Sequence, residues 1–213
     1  MIERDAPLYI IGLTGNIATG KSTVLAYLAG KGAHIIDADK MAHRAMAPDG
    51  PAYEKVIAAF GPDILAPSGE IDRERLGAIV FRDPVALQRL EAIVHPATFE
   101  LTRWDIAEAE AEVVVLEAIK LLESGRMKSL SDEIWVITAS PEAQFERLIN
   151  RRGSTEQDAR MRMAAQPPQA EKAAQADHVL VNDGQLEALH AQLDALWQNV
   201  QEKLNARRLA AQH

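Results

Sequence analysis

No cysteine occurs in the 213 residues. That excludes disulfides and thiolate metal sites and is compatible with a reducing compartment such as the cytoplasm. No apolar run approaches the roughly 20 residues that cross a bilayer as a helix. The opening, Met1 to Pro7, is polar and lacks the apolar centre of a signal peptide. Positive charge is not in excess: 23 Lys and Arg against 31 Asp and Glu leave a net charge of −8. A general affinity for nucleic acid or an anionic membrane is therefore not expected, and an anionic ligand must be held by locally placed Lys and Arg. Internal repeats are missing too, and the only compositional bias is a mild excess of Ala and Gln near the C-terminus. What is there, 47% hydrophobic and 25% charged residues, suits one ordinary globular domain or a core with one insertion.

Gly15-Asn16-Ile17-Ala18-Thr19-Gly20-Lys21-Ser22 matches G-x-x-x-x-G-K-[ST], a loop that binds nucleotide phosphates. Its flanks fit the motif: a short apolar strand over 8–13 precedes it and an amphipathic helix over 23–31 follows. Gly15 and Gly20 let the backbone turn tightly and approach an anion. Successive N–H groups and the positive end of the helix then form an anion nest. The expected phosphate contacts are Gly15, Ala18, Thr19, Gly20, Lys21, Ser22 and Thr23. Lys21 supplies a mobile charge for the β- and γ-phosphates, and Ser22 a hydroxyl for Mg²⁺. A nucleoside triphosphate with Mg²⁺ is thus the expected ligand.

The rest of the chain reads as an α/β protein of the P-loop NTPase fold: a five-stranded parallel sheet flanked by helices, with a helical insertion and a helical lid. A second strand over 33–37 ends at Asp37-Ala38-Asp39. Carboxylates at such a strand end either face the phosphate loop, for catalysis or Mg²⁺, or cap the next helix. The next strand, 113–117, lies much farther on than the dozen or so residues a parallel crossover needs. The stretch between reads as helices over 53–60, 73–81 and 84–94, with Pro96 starting another towards Ala111. This insertion is a natural place for an acceptor substrate, and His95 stands out in it. Glu117, ending the third strand, either reaches Mg²⁺ through water or pairs with Lys120. A fourth strand over 133–139 leads into a helix capped by Ser140 with Pro141 in its first turn. Arg147, Arg151, Arg152, Arg160 and Arg162 then cluster around Gly153. Guanidinium forks suit phosphate oxygens, and a helical hairpin carrying them over bound phosphates is a lid. The alternative is a solvated helix balanced by Glu146, Glu156 and Asp158. A fifth strand over 178–181, the Asn182-Asp183-Gly184 turn and a Leu-striped final helix (Leu186, Leu189, Leu193, Leu196) close the chain. The expected organisation is a nucleotide-binding core over 1–40 and 112–206, a lid over about 147–166, an acceptor-binding insertion over 41–111 and a frayed tail over 207–213.

Taken together these residues resemble the dephospho-CoA kinase family. Gly12-Leu13-Thr14-Gly15 through Lys21-Ser22-Thr23-Val24 is similar to its G-L-T-G-G-I-G-S-G-K-S-T-V opening, and Asp37-Ala38-Asp39 to its D-A-D motif. Gly61-Pro62-Asp63-Ile64-Leu65 through Asp72-Arg73 and Val80-Phe81, Val94-His95-Pro96, and Glu146-Arg147-Leu148 through Ala164-Ala165-Gln166 resemble later segments, in order, over roughly Leu8 to Leu196. This chain departs from the pattern at Asn16 and Ala18, where the family has glycine, and at Thr19, where it has serine. It departs again at Glu117 and Ile119, where the family has Asp and Pro. An alanine in the place of the second loop glycine would be strained at positive φ.

The resemblance implies in-line attack of the dephospho-CoA ribose 3′-hydroxyl on the γ-phosphate of ATP. Asp39 would orient that hydroxyl or accept its proton, while Lys21, Mg²⁺, Arg147 and Arg151 stabilise the transferred charge. Thr14, His95 and Glu117 would contact the acceptor, and Asn182 and Gly184 would lie at the adenine. The implied partner is this small molecule, with no nucleic acid and no membrane, acting on a monomer or weak homo-oligomer in the cytoplasm. Two other readings fit the residues: a nucleoside monophosphate-like kinase of the same fold, and a nucleotide-binding regulatory relative without turnover.

Overall fold

The structure is a computed structural model that describes residues 7–211. Strand β1 (Tyr9–Gly15) passes through a glycine loop into α1 (Lys21–Gly30), followed by β2 (His34–Asp37) and α2 (Ala38–Ala45). Next come α3 (Tyr53–Phe60), a 3₁₀ turn (Pro62–Ile64), α4 (Arg73–Val80) and the long α5 (Pro84–Glu108). The chain continues with β3 (Val113–Glu117), α6 (Gly125–Lys128), β4 (Glu133–Thr138), α7 (Pro141–Arg152), α8 (Glu156–Ala164) and α9 (Gln169–Ala173). It closes with β5 (His178–Val181) and α10 (Leu186–Ala211). By contacts the chain divides into two compact units, one formed by residues up to Ile35 and from Ala109, the other by Ile36–Glu108.

The strands form one five-stranded sheet in the order β2-β3-β1-β4-β5. β1 pairs in parallel with β3 (Ile11 opposite Val115) and with β4 (Leu13 opposite Trp135), and β4 in parallel with β5. All five residues of β3 and the first five of β4 are buried, as strands covered on both faces require. Ile11, Leu13, Val115, Trp135, Ile137 and Leu180 pack with Val24 and Leu28 of α1 and with Leu189, Leu193, Val200 and Leu204 of α10. The chain leaves β1 towards β2 and later returns to its other side as β4. The crevice at the carboxyl end of β1 is therefore a topological switch point, where ligands bind in open parallel sheets.

Local sequence sets several boundaries. Asp72 caps α4, accepting from the Glu74 and Arg75 N–H groups at 3.0 and 3.2 Å. Ser140 caps α7 and Thr155 caps α8 by the same means, and Gly153 ends α7 at φ 64°.

Three expectations are corrected. The predicted break before Pro96 does not occur: α5 runs through it as one helix. Losing the Pro96 N–H costs a helix about 3 kcal/mol. Yet Leu87, Leu90, Ile93, Ala97 and Leu101 pack on the core of Val56, Ile64, Leu76, Val80 and Val94 from both sides of the proline. Leu87, Leu90, Ile93 and Leu101 are partly buried, and even about half of the 1.5–3 kcal/mol of a fully buried large side chain, gained at each of them, matches or outweighs the lost bond. Pro96→Ala is accordingly expected to raise the urea midpoint of unfolding; a fall would mean that the proline ring itself is needed for packing.

The predicted frayed tail is also helix, since α10 continues to Ala211; His213 and its neighbour lie outside the described residues. Arg207 binds Asp132 at 2.6 Å and lies 4.6 Å over the Tyr9 ring, and Arg208 pairs with Glu112. Finally, Leu186 does not join the buried stripe of α10 but stays 47% exposed.

Behind the sheet's amino edge, buried Glu133 accepts from the Tyr9 hydroxyl at 2.8 Å, from Trp135 Nε1 at 2.7 Å and from Lys203. Burial pushes its carboxyl up, but the bonds from Lys203, Tyr9 and Trp135 outweigh burial and hold it below the ordinary carboxylate value. A carboxyl lowered by folding adds stability that is fully present above its unfolded pKa and is lost as pH falls through the folded value. Glu133→Gln is therefore expected to flatten the acid limb of a melting-temperature-against-pH profile below about pH 4.5. An unchanged limb would exclude Glu133 as its source.

Candidate active site

The glycine loop is shaped by what surrounds it. A Cβ on Gly15 would fall 2.5 Å from the Ile137 carbonyl oxygen, and one on Gly20, at φ 105°, 2.1 Å from Asn182 Nδ2. Neither position accepts a side chain. Ala18 is the single non-glycine residue at positive φ among the described residues, at 56°. This is the strain expected from the alanine at that place, whereas Asn16, the other departure, adopts no such angle. A left-handed alanine costs about 1 kcal/mol or more. Its methyl is buried against Leu148 and Ala159, a gain of about 0.8 kcal/mol that offsets only part of that cost.

The loop's carbonyls are tied back from one side. Arg147 Nη1 donates to the Ala18 and Thr19 carbonyls at 3.2 and 3.3 Å, and its Nη2 to the Asn182 carbonyl and Oδ1 at 2.7 and 3.2 Å. Asn182 Nδ2 donates to the Thr19 carbonyl at 2.7 Å. In a planar trans peptide C=O and N–H point in opposite directions, so the Gly20 N–H faces away from Arg147. Burial, then the Arg151 charge one helical turn on, lowers the Arg147 pKa from its ordinary value. Lys21 Nζ donates to the Gly15 and Asn16 carbonyls at 2.8 and 3.4 Å and lies 3.8 Å from Glu117 Oε1. Buried Glu117 is thus placed against the loop lysine at the carboxyl end of β3. Ser22 is exposed in the first turn of α1 with Thr23 next to it, half-buried.

Thr14 is buried and donates to the Ile119 carbonyl at 3.2 Å. Arg151 and Arg152 are exposed near the end of α7, and Gly184 is exposed after β5. Arg160 pairs with Glu156 of its own helix at 3.7 Å and lies 4.7 Å over the Phe145 ring of α7, and Arg162 pairs with Asp158 at 3.0 Å. Arg162 thus lies on an exposed face balanced by a carboxylate of its own helix.

Asp39 and His95 belong to the Ile36–Glu108 unit. Asp37 caps α2, accepting from the Lys40 N–H at 3.1 Å, while Asp39 is exposed in the first turn of α2. His95 is exposed midway along α5, against which α2 packs.

Gln144 and Lys172 at this site had no role in the sequence reading, and Gln166 entered it only as the close of the lid segment. Gln144 and Gln166 hydrogen-bond the Ile17 peptide groups. Lys172, 5% exposed on α9, donates to the same Ile119 carbonyl as Thr14, at 2.9 Å. The available signal was spacing: Gln144 shares a helix face with buried Leu148, and Lys172 interrupts an alanine run.

A parallel sheet with a glycine loop at its switch point, a lysine at the loop's mouth and an arginine-bearing helical hairpin beside it is the apparatus of a phosphate-loop kinase. The sequence profile of the dephospho-CoA kinase family matches residues 9–188. The chain belongs to that family and is an enzyme. It is 46% identical to the dephospho-CoA kinase of Streptomyces avermitilis over 88% of this chain and 91% of that one. It is 45% identical to the dephospho-CoA kinase of Geobacter metallireducens over 92% and 98%. Among solved structures, a protein from Thermus thermophilus superposes with a TM-score of 0.77 at 35% identity, covering 92% of this chain and 98% of that one. Dephospho-CoA kinase from Campylobacter jejuni does so with a TM-score of 0.67 at 26% identity, covering 91% and 98%.

Proposed function

We propose that this chain transfers the γ-phosphoryl group of ATP to the ribose 3′-hydroxyl of dephospho-CoA, giving coenzyme A and ADP. The observation that carries the reading is the glycine loop. Arg147 and Asn182 hold its carbonyls behind, and Lys21 stands at its mouth.

In this reading the loop N–H groups from Gly15 and Ala18 to Thr23 receive the triphosphate and the start of α1 adds its positive end. Lys21 follows the charge that develops on the transferred group. Arg147 spends both terminal nitrogens on carbonyls, so it shapes the loop and adds its charge at short range. Arg151, exposed one turn on, is the guanidinium able to fork onto phosphate oxygens. Asn182 and Gly184 border the adenine. Asp39 aims the attacking hydroxyl; an ordinary aspartate, with a pKa of about 3.9, is a weak base, so holding the hydroxyl in line contributes more than early proton removal. Thr14, His95 and Glu117 contact the acceptor.

The donor set suits Mg²⁺, which keeps several waters and takes one or two protein oxygens together with substrate phosphates. Ser22 would hold it. No group of three or more His, Asp or Glu suited to a metal occurs among the described residues, and a phosphate-bound ion needs none. Held there, Mg²⁺ would supply positive charge to the phosphates of the bound nucleotide. A cytoplasmic location goes with such a substrate, and no described helix is long and apolar enough to cross a membrane.

Phosphorus NMR of the isolated product tests the regiochemistry. A new phosphomonoester on the ribose 3′ position is expected, and a phosphate on any other oxygen would overturn the reading.

A further inference from the structure

Ile17, at the apex of the loop, has both of its peptide groups held by glutamine side chains. Its N–H donates to Gln166 Oε1 at 2.7 Å, and its carbonyl accepts from Gln144 Nε2 at 2.5 Å. Those two bonds fix the planes of the 16–17 and 17–18 peptides. The 18–19 peptide is fixed in turn by Arg147 on the Ala18 carbonyl. The φ and ψ of Ala18 are the rotations between the last two of these planes. Ala18 is therefore bracketed on both sides, and it is the residue found at φ 56°.

The clamp is itself anchored. Gln144 is 5% exposed, and its Oε1 accepts from Gln169 Nε2 at 3.1 Å. Gln169 grips the end of β4 twice, accepting from the Ala139 N–H at 3.0 Å and donating to its carbonyl at 2.7 Å. Beside them Asn16 Nδ2 donates to the Pro167 carbonyl at 2.9 Å. Amide side chains of fixed direction, rooted in the sheet and in α7, thus meet the loop at the one place where this sequence carries alanine under backbone strain.

We infer that Gln144 and Gln166 are positioning residues that hold the Ala18 peptides in the left-handed, phosphate-binding form of the loop. The inference rests on the ATP-binding reading of the same loop. Released from the clamp, an alanine at this φ relaxes towards the ordinary right-handed or extended regions. Only the fraction of molecules that keeps the cup then binds nucleotide, and the apparent affinity falls by that fraction. A glycine at position 18 has no such preference, so the clamp would matter little there.

The test is a titration with a fluorescent ATP analogue, without acceptor, on four proteins: the unaltered chain, Gln144→Met/Gln166→Met, Ala18→Gly, and all three changes together. Against Ala18 the paired substitution is expected to raise Kd about fivefold or more. Against Ala18→Gly it should raise Kd by less than about twofold. In turnover assays KM for ATP should rise with kcat nearly unchanged, because binding competence and not the chemical step is altered. A merely structural role would lower Tm while leaving the two Kd ratios equal. Should the paired variant fail to fold, Gln166→Met alone, at a half-buried position with a single bond to lose, gives the same pattern at smaller amplitude. An unaltered chain that binds no ATP removes the functional reading and the inference with it. An unaltered chain that binds, with equal ratios in both backgrounds, overturns the inference alone.

Discussion

Lys21→Met is expected to lower turnover by about 10²–10³-fold, the usual loss when one preorganised electrostatic contact to the transition state is removed. Methionine keeps the length and the apolar stem and removes the charge. In the structure the ammonium is already at the loop, 2.8 Å from the Gly15 carbonyl and 3.8 Å from Glu117 Oε1. A short swing of a flexible stem brings it to a phosphate oxygen. Part of the effect will be on stability, because buried Glu117 loses a neighbouring cation. Tm and kcat should therefore be read on the same preparation. A folded Lys21→Met protein with turnover within about threefold of the unaltered chain would take the lysine out of the mechanism.

Asp39→Asn is expected to lower kcat by at least about tenfold with the Kd for ATP unchanged. The side chain is exposed at the start of α2, and its neighbour Asp37 already serves as the cap. Substituting Asp39 therefore removes no cap from the helix. The amide is nearly the same size, so what changes is the charge and the pattern of acceptors offered to the ribose hydroxyl. Isothermal titration with ATP beside a steady-state assay separates the two effects. Near-normal turnover, or a loss of ATP affinity matching the loss of rate, would contradict a role in aiming the acceptor.

Much of this was legible in the chain. Short-range signals were reliable wherever one residue type solves one local problem. Ser140 satisfies an orphan N–H group at the start of α7, with Pro141 in the first turn. The runs Val113 to Glu117 and His178 to Val181 match strands end to end. The loop motif, and with it the class of ligand, came from eight contiguous residues. Long-range effects were not legible. Pro96 was read by its local preference for a helix start, and the apolar stripe packed on Val56 and Leu76 overrode that preference. The polar end of α10 was read as frayed because Asp132 and Glu112, the partners of Arg207 and Arg208, are distant in sequence. Gln144 and Lys172 fall in the same class: a buried polar side chain takes its meaning from an acceptor on another element. The strain at Ala18 was foreseeable from the substitution alone; the side chains that sustain it were not.

The central claim is that a main-chain cup holds ATP for transfer to one particular sugar alcohol. ADP release, measured with a coupled enzyme system in the presence of dephospho-CoA, of a nucleoside monophosphate, or of no acceptor, tests it most directly. The account predicts rapid release with dephospho-CoA and only background release in the other two. Equal release with the nucleoside monophosphate, or ATP binding without release under any condition, would contradict it.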